Sequence, residues 1–491
     1  MSKYWILVAI LLPIIGGVLV PLLPLKKRGH MKLFLESITV VTSLVVWGLL
    51  LNGTTEAFHV VRFVKELSIS FKIDGLTMVF AGLVSVLWPL ATLYAFEYME
   101  HEGHEKIFFM FYSMTYGVTL GIAFASDMLS MYFFYELLTL TTVPLVMHTL
   151  KREAILASRK YLYFSLGGAA FALIGLVFII VYGNTCDFVL GGVLALDKIG
   201  DKAPLLLMVY LLAFMGFGVK AAIWPLSSWL PEAGVAPTPV TALLHAVAVV
   251  KAGVFAIIRL TYYSFGTEFL RGTWVQYVVM AFAMFTIVYG CSKAAKETHI
   301  KRRLAFSTVS NLSYVIFGVT IMTPLGLVGA LSHLICHAVM KICSFLCAGA
   351  FMHQTGKSYV YEMDGMGRKM PIVFGCFTVA ALGLMGVPGL AGFISKWNLT
   401  AAAVDSGNGL AYFGIVCLLI SALLTAIYML NIVVRAFFPG CNFDYNKVAN
   451  VKDPSWEMCL PLIVCAIGVI VLGLFSSPLI QFFTNIATGL Y

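Results

Sequence analysis

FMGFGVKAAIWPLSSWLPEAGVAPTPVTALLHAVAVVKAGVFAIIRL (214–260) sets two apolar runs one after the other, each carrying a lysine in its interior. Lys220 stands five residues before Pro225, and Lys251 stands six residues after His245. An ammonium near the centre of hydrocarbon costs roughly 2.5–3.5 kcal/mol on insertion scales. Proline removes a backbone donor and loosens the helix beside the first charge. Ion pathways are built from such residues. The rest of the chain is therefore expected to house a line of buried titratable groups.

The composition sets the solvent. Of 491 residues, 60% are hydrophobic and 11% charged, with a mean hydropathy of +0.94, which reads as an all-α polytopic membrane protein. No long polar stretch leaves room for a sizeable soluble domain. Residues 4–25 hold Pro13, Pro21 and Pro24 with no small-residue cleavage site after them, so a retained first span is expected rather than a signal peptide. The ten cysteines show no C-x-x-C pair or zinc spacing, and Cys336, Cys343, Cys347, Cys376, Cys417 and Cys465 sit in apolar runs as packing residues. No dinucleotide or phosphate-loop fingerprint appears, so no cofactor and no metal are expected in this chain.

Fourteen membrane helices are expected, near 4–25, 32–51, 74–97, 106–125, 128–149, 159–182, 204–230, 237–263, 273–293, 302–322, 325–352, 371–400, 409–437 and 458–484. The seventh and twelfth are broken, one at Pro225 and the other at Pro388, Gly389 and Gly392. Loops after odd-numbered helices hold twenty of the lysines and arginines, Lys26 and Lys447 among them. The N-terminus and even-numbered loops hold eight: Lys3, Arg62, Lys65, Lys72, Lys198, Lys202, Arg259 and Arg271. The net charge of +9 thus speaks of topology, not of nucleic acid, and by the positive-inside rule both termini face outward. FMGFGVKAAIWPLSSW (214–229) and LMGVPGLAGFISKWNL (384–399) share Met-Gly, small residues, a break and a lysine. Lying five helices apart, the two copies run in opposite directions, as in transporter folds with broken helices at a midplane site.

Eight residues are candidates for proton transfer: Glu136, Lys220, His245, Lys251, His333, His337, Lys341 and Lys396. Glu136 is the one carboxylate expected well inside a helix. Facing Lys220 it would form a charged pair whose opening releases a proton, although packing alone would also explain it. His333, His337 and Lys341 recur every four residues and form one stripe about 12 Å long at 1.5 Å per residue. Two histidines at that spacing also suit zinc, but the H-E-x-x-H glutamate is missing and Lys341 repels a cation, so a relay is the better reading. His245 and Lys251 lie about 240° apart around a helix and need not share a face. Lys396 follows the Gly392 break, with a snorkelling lysine as its plain alternative. Ser307, Thr308, Ser310 and Asn311 suit waters or helix packing equally. Asp74 and Arg368 sit at helix borders and read as interfacial structure.

Several segments resemble the antiporter-like subunits of respiratory complex I, their relatives in membrane-bound hydrogenases, and the large subunits of multisubunit Na+/H+ antiporters. The carrying residues are DGLT (74–77), the Glu136 helix, the Lys220 helix, WLPEAGVAPTPVTALLHAVAVVKAG (229–253), IKRRLAFSTVSNLSYV (300–315), SHLICHAVMKICSFLCAG (332–349), MDGMGRKMP (363–371) and GVPGLAGFISKWNL (386–399). The resemblance implies N-terminal helices over 1–105, a first five-helix repeat over 106–263, an inverted second over 273–437, and a last helix over 458–491. It also implies that Glu136 pairs with Lys220, that Lys251 and the His333/His337/Lys341 stripe form a central axis, and that Lys396 is the terminal site. Two departures stand out. The chain ends soon after the fourteenth helix, where the largest complex I member carries a lateral-helix extension, and Tyr135 stands where many relatives have Trp.

The expected function is a proton-translocating, non-catalytic subunit of a redox-driven oxidoreductase complex in the inner membrane. Its partners would be other membrane subunits and, through them, peripheral iron–sulfur subunits. Ion exchange in a multisubunit Na+/H+ antiporter is the second reading. A structural scaffold, with lysines only setting helix register, is the third.

Overall fold

In hydrocarbon a backbone N–H or C=O without a partner is too costly to leave, so long apolar runs close their hydrogen bonds within helices. A computed structural model of the chain describes residues 3–24, 27–53, 56–64, 67–440 and 443–490. Lys26 and Lys65, counted with the loop charges, lie outside the described residues, as does the side chain of Lys447.

The chain begins with α1 (Trp5–Leu22) and α2 (Arg28–Asn52), then a hairpin of β1 (Phe58–Val64) and β2 (Leu67–Phe71). There follow α3 (Gly75–Tyr98), α4 (Glu105–Phe124), α5 (Met128–Val146), α6 (Arg152–Tyr182) and α7 (Ala203–Lys220). The middle holds α8 (Thr238–Ala246), α9 (Val249–Ile258) with a π-helical continuation over Arg259–Phe265, α10 (Trp274–Lys296), α11 (Ile300–Thr320) and α12 (Pro324–Thr355). The remainder is α13 (Pro371–Met385), α14 (Ala391–Asp405), α15 (Gly409–Phe437), α16 (Trp456–Leu474) and α17 (Ser477–Ala487). Short one-turn helices fill the connections.

Among the described residues, 12 helices are long and apolar enough to cross a membrane. The two expected spans outside that set have physical reasons. In α11 Lys301, Arg302, Arg303 and Asn311 dilute the hydropathy, and the twelfth expected span divides into α13 and α14, each of 15 residues. The hairpin, absent from the sequence reading, is antiparallel and anchors the start of α5. Ser70 Oγ donates to Asp127, which caps α5 by accepting from the Ser130 N–H (2.7 Å), and Lys72 N–H donates to Phe124 O (2.9 Å).

Burial separates core from lipid face. All of the most apolar window in Thr238–Phe265 and 94% of that in α12 is buried, against 33–39% in α1, α2, α6 and α15. Titratable residues in hydrocarbon need protein around them, and the two enclosed helices are the ones that carry His245, Lys251, His333, His337 and Lys341. Arg259 corrects the loop assignment. It is fully buried at the end of α9 and pairs with Asp74, the N-cap of α3, through contacts of 2.6 and 2.8 Å. Asp74 is therefore half of a buried ion pair, not interfacial trim, and Lys72 stands 3.7 Å from it.

Both expected breaks are present and a third appears. α7 stops at Lys220, and Ala222 takes a left-handed φ of 56°. Between α13 and α14, Gly386 and Gly389 adopt φ of 92° and 86°, a region that side chains disfavour. Gly392 packs so tightly that a Cβ there would meet Gly383 O at 1.9 Å. The third break lies at Val247 and Ala248, between His245 and Lys251, with no proline or glycine to announce it.

Candidate functional site

α12 lies at the centre with its stripe of His333, His337 and Lys341, and α9 runs past it carrying Lys251. Lys251 Nζ meets His337 Nδ1 at 2.8 Å, a contact in which the lysine donates whenever it is charged, because an ammonium has no acceptor. The His337 ring stacks on His333 with centroids 5.9 Å apart and planes 19° from parallel. His333 Nδ1 lies 2.9 Å from Ser395 Oγ, which also lies 3.1 Å from Gly392 O, so the single hydroxyl proton serves one of these two acceptors at a time and the histidine tautomer follows it.

Lys396 follows Ser395 in α14. Lys396 Nζ donates to Leu384 O (2.8 Å) and Met385 O (2.9 Å), the last carbonyls of α13, and stands 5.6 Å above the Tyr314 ring. An ammonium at the open end of a helix complements its carbonyl dipoles. The lysine is half-buried, with its ammonium held at the break by these carbonyls. Tyr314 also stacks on His333 (4.9 Å), so one ring touches both stations.

Lys341, the third member of the stripe, turns away from the histidines. Its Nζ donates to Ser307 Oγ (2.6 Å), which accepts a second bond from Tyr428 OH (2.7 Å). Of the four polar residues on α11, Ser307 thus joins the titratable set. Asn311 and Thr308 donate to backbone carbonyls of their own helix, and Ser310 donates to Ile287 O and contacts Ser421, which are packing roles.

Glu136 and Lys220 are neighbours without touching. Lys220 Nζ donates to the Tyr135 carbonyl and lies 3.4 Å from the centroid of the Tyr135 ring, while Glu136 Oε1 is buried without a hydrogen-bond partner. The two remain within electrostatic range. The direct pair that the resemblance implies is therefore not formed in this conformation. α7 and α9 meet at Gly253, where a Cβ would lie 2.4 Å from Ala221 N and 2.8 Å from Lys220 C. Gly253→Ala should force these helices apart and slow ion transport while leaving the complex assembled. Transport at the wild-type rate, measured in reconstituted vesicles, would show that the close approach is not needed.

His245 is fully buried and stacks on Phe345 (4.8 Å), with neither ring nitrogen bonded. With His333 Nε2 and His337 Nε2 this makes four buried imidazole nitrogens without partners among these three residues. Native interiors rarely leave such atoms unpaired. Mutual repulsion at low dielectric keeps such neighbouring bases from all carrying charge at once. That is the chemistry of groups that pass one charge along. Among the described residues no three His, Cys, Asp or Glu side chains converge as a metal site would require.

The sequence points to no site role for Tyr314, Ser395 and Tyr428, and marks Tyr135 only as a departure from Trp. Tyr135 and Ser395 adjoin Glu136 and Lys396, a signal that was available. Nothing local marks Tyr314 or Tyr428, which reach the site from α11 and α15. Also overlooked is Glu36, a second carboxylate within a span, whose Oε2 is buried and unpartnered.

The fold and this buried array define a membrane subunit of the ion-translocating kind, and comparison with known proteins assigns the family. The model for "NADH:quinone oxidoreductase/Mrp antiporter, TM" matches residues 125–425, and that for the "NADH-Ubiquinone oxidoreductase (complex I), chain 5 N-terminus" matches 64–109. The chain belongs to the NADH:quinone oxidoreductase/Mrp antiporter family. It is 28% identical to NADH-quinone oxidoreductase subunit N of Desulforudis audaxviator, covering 88% of this chain and 87% of that one. It is 27% identical to Na+/H+ antiporter subunit A1 of Staphylococcus haemolyticus, covering 98% of this chain but only 62% of that longer protein. Its fold superposes on a chain of an archaeal membrane-bound sulfane sulfur reductase with a TM-score of 0.86 at 22% identity, covering 98% and 97% of the two chains.

Proposed function

We propose that this chain is a proton-translocating, antiporter-like subunit of a redox-driven membrane complex. The observation that carries the reading is the buried set Lys251–His337–His333–Ser395, hydrogen-bonded at its two ends and ring-stacked between His337 and His333, with Lys396 next in sequence to Ser395. A proton arriving on Lys251 is handed to His337, crosses to His333, and leaves through Ser395 toward Lys396. Glu136 and Lys220 act before this axis: when Lys220 swings from the Tyr135 carbonyl to the carboxylate, the field at Lys251 changes. His245 and Lys341 bias His337 electrostatically.

The fourteen-span reading adds α11 and the broken α13–α14 pair to the apolar helices, with both termini outward in the inner membrane. The repeats over 106–263 and 273–437 are supported by their matched lysines, each near a helix break: Lys220 ends α7 and donates to Tyr135 O within α5, and Lys396 donates to the last carbonyls of α13. Energy comes from partners: other membrane subunits and, beyond them, peripheral iron–sulfur subunits. Ion exchange in a multisubunit Na+/H+ antiporter is the second reading, favoured by likeness to the antiporter subunit along almost the whole chain.

Reconstitution of the purified complex tests both. Redox turnover should acidify one compartment, and Glu136→Gln and Lys220→Met should abolish this while electron transfer and assembly persist. Sodium-gradient-driven proton movement with no redox partner would favour the antiporter. Unchanged transport in both variants would leave only a scaffold.

A further inference from the structure

The N-terminal helices hold a second polar line that the central axis does not use. On α2, Arg28, Lys32 and Glu36 recur every four residues and share a face. At the helix start Arg28 Nη2 binds Glu105 (2.9 Å), and one turn deeper Lys32 Nζ binds Glu457 of α16 (2.7 Å). Glu36 comes another turn in, about 12 Å from the start of α2. Its Oε2 is buried without a partner, although its side chain is only half-buried overall.

α4 meets Glu36 with Tyr112, which is fully buried, lies within electrostatic range of the carboxylate, and has an unpartnered hydroxyl. One turn on, Tyr116 OH contacts Ser43 Oγ of α2 (2.9 Å). Trp88 of α3 lies against Tyr112 (5.7 Å) and stacks on Tyr116 (4.9 Å), and its own indole N–H is unpartnered. A carboxyl and a phenol at this depth are costly, and here neither returns a hydrogen bond to the fold. Apolar residues of similar volume would pack α2 on α4 better.

Tyr112 and Trp88 also form one wall of a cavity of about 10 Å³, the order of a single water centre. Ala248 and Val249 also line it, at the α8–α9 break, Ala248 three residues before Lys251. The lining is otherwise mainly apolar, so this connection is closed in the present conformation.

We propose that the Arg28–Lys32–Glu36 face of α2, together with Tyr112, is a proton intake path that feeds the α8–α9 break. The inference rests on the proton-translocation reading. A proton from the aqueous end of α2 lands on the Glu36 carboxylate. Tyr112 accepts it at Oη and releases its own hydroxyl proton toward the cavity, and the Lys251 amine takes it up to become the ammonium that binds His337. The ion pairs of Arg28 and Lys32 engage both cations with other carboxylates, so neither neutralises Glu36.

The test uses the whole complex in vesicles. Glu36→Gln and Tyr112→Phe should each cut proton transport at least about tenfold with the complex assembled, and Glu36→Asp should restore most of the rate. Where Glu36→Gln fails to assemble, difference infrared spectroscopy of the turning-over complex replaces it. A carboxylic C=O band that moves in Glu36→Asp supports the path, and no change in that variant overturns it. Wild-type transport in Glu36→Gln beside lost transport in Lys251→Met would sink the intake path and leave the central axis standing. Wild-type transport in both would bring down the translocation reading and this inference with it.

Discussion

Lys251→Met is expected to lower proton transport by about 100-fold or more, the scale on which a positioned proton carrier contributes. The reason is geometric. Lys251 Nζ is the donor that reaches His337, at 2.8 Å, and both residues are fully buried. Lys341 is committed to Ser307 and Lys220 to the Tyr135 carbonyl, so neither ammonium replaces it without moving. Methionine matches the stem in length, and removing a buried cation from among other cations should not impair folding. Lys251→Arg sharpens the result. A guanidinium does not give up its proton in a protein, so the arginine variant keeps the charge and should be as slow as the methionine one. Rapid transport in Lys251→Arg would mean that Lys251 acts only as a fixed charge. The rates are read in proteoliposomes with electron transfer assayed separately.

The largest effect on stability should come from Asp74→Asn. Arg259 is completely buried, with its guanidinium carbon 4.7 Å from the Tyr263 ring centre and 4.8 Å from that of Phe188. Its one carboxylate partner is Asp74, bound through both terminal nitrogens. Asparagine can still cap α3, but it leaves the cation uncompensated, a loss of about 3–5 kcal/mol for a buried pair broken on one side. The double variant Asp74→Asn/Arg259→Met should recover most of that, because a well-packed apolar pair avoids the burial of charge.

The pH dependence has a definite sign. Burial alone would raise the Asp74 carboxyl, but Arg259, aided by Lys72, outweighs it and holds the group well below the usual carboxylate range. A depressed value in the folded state contributes stability that is fully present above the unfolded value, about 3.9, and is lost as pH falls through the folded one. Thermal unfolding in detergent should therefore show an acid-side loss in the wild-type protein that Asp74→Asn lacks. An equal acid slope in both would assign the loss to other carboxylates.

The residues differ in how far they could be read in advance. Lys220, Lys251, Lys341 and Lys396 announce themselves because an ammonium inside an apolar run is costly wherever the helix sits. The His333/His337/Lys341 stripe follows from four-residue spacing, and the α13–α14 break from Pro388 and its glycines. Glu36 was passed over because it sits nearer the start of its span, one turn after Lys32, where a surface pairing is the ordinary expectation. The break at Val247 and Ala248 carries no breaker residue at all, so tertiary packing overrides local preference there.

By itself the sequence determined the solvent, the helical class, the family likeness and the roster of titratable groups within apolar runs, since these depend on composition and on spacing within one helix. The tertiary structure alone decided the partners. It gave Lys251 to His337, 86 residues away, Lys341 to Ser307, Lys220 to a carbonyl instead of Glu136, and Arg259 to Asp74 at a separation of 185. Contacts between helices depend on rotation and depth in the bundle, and neither is written in the periodicity of a single helix.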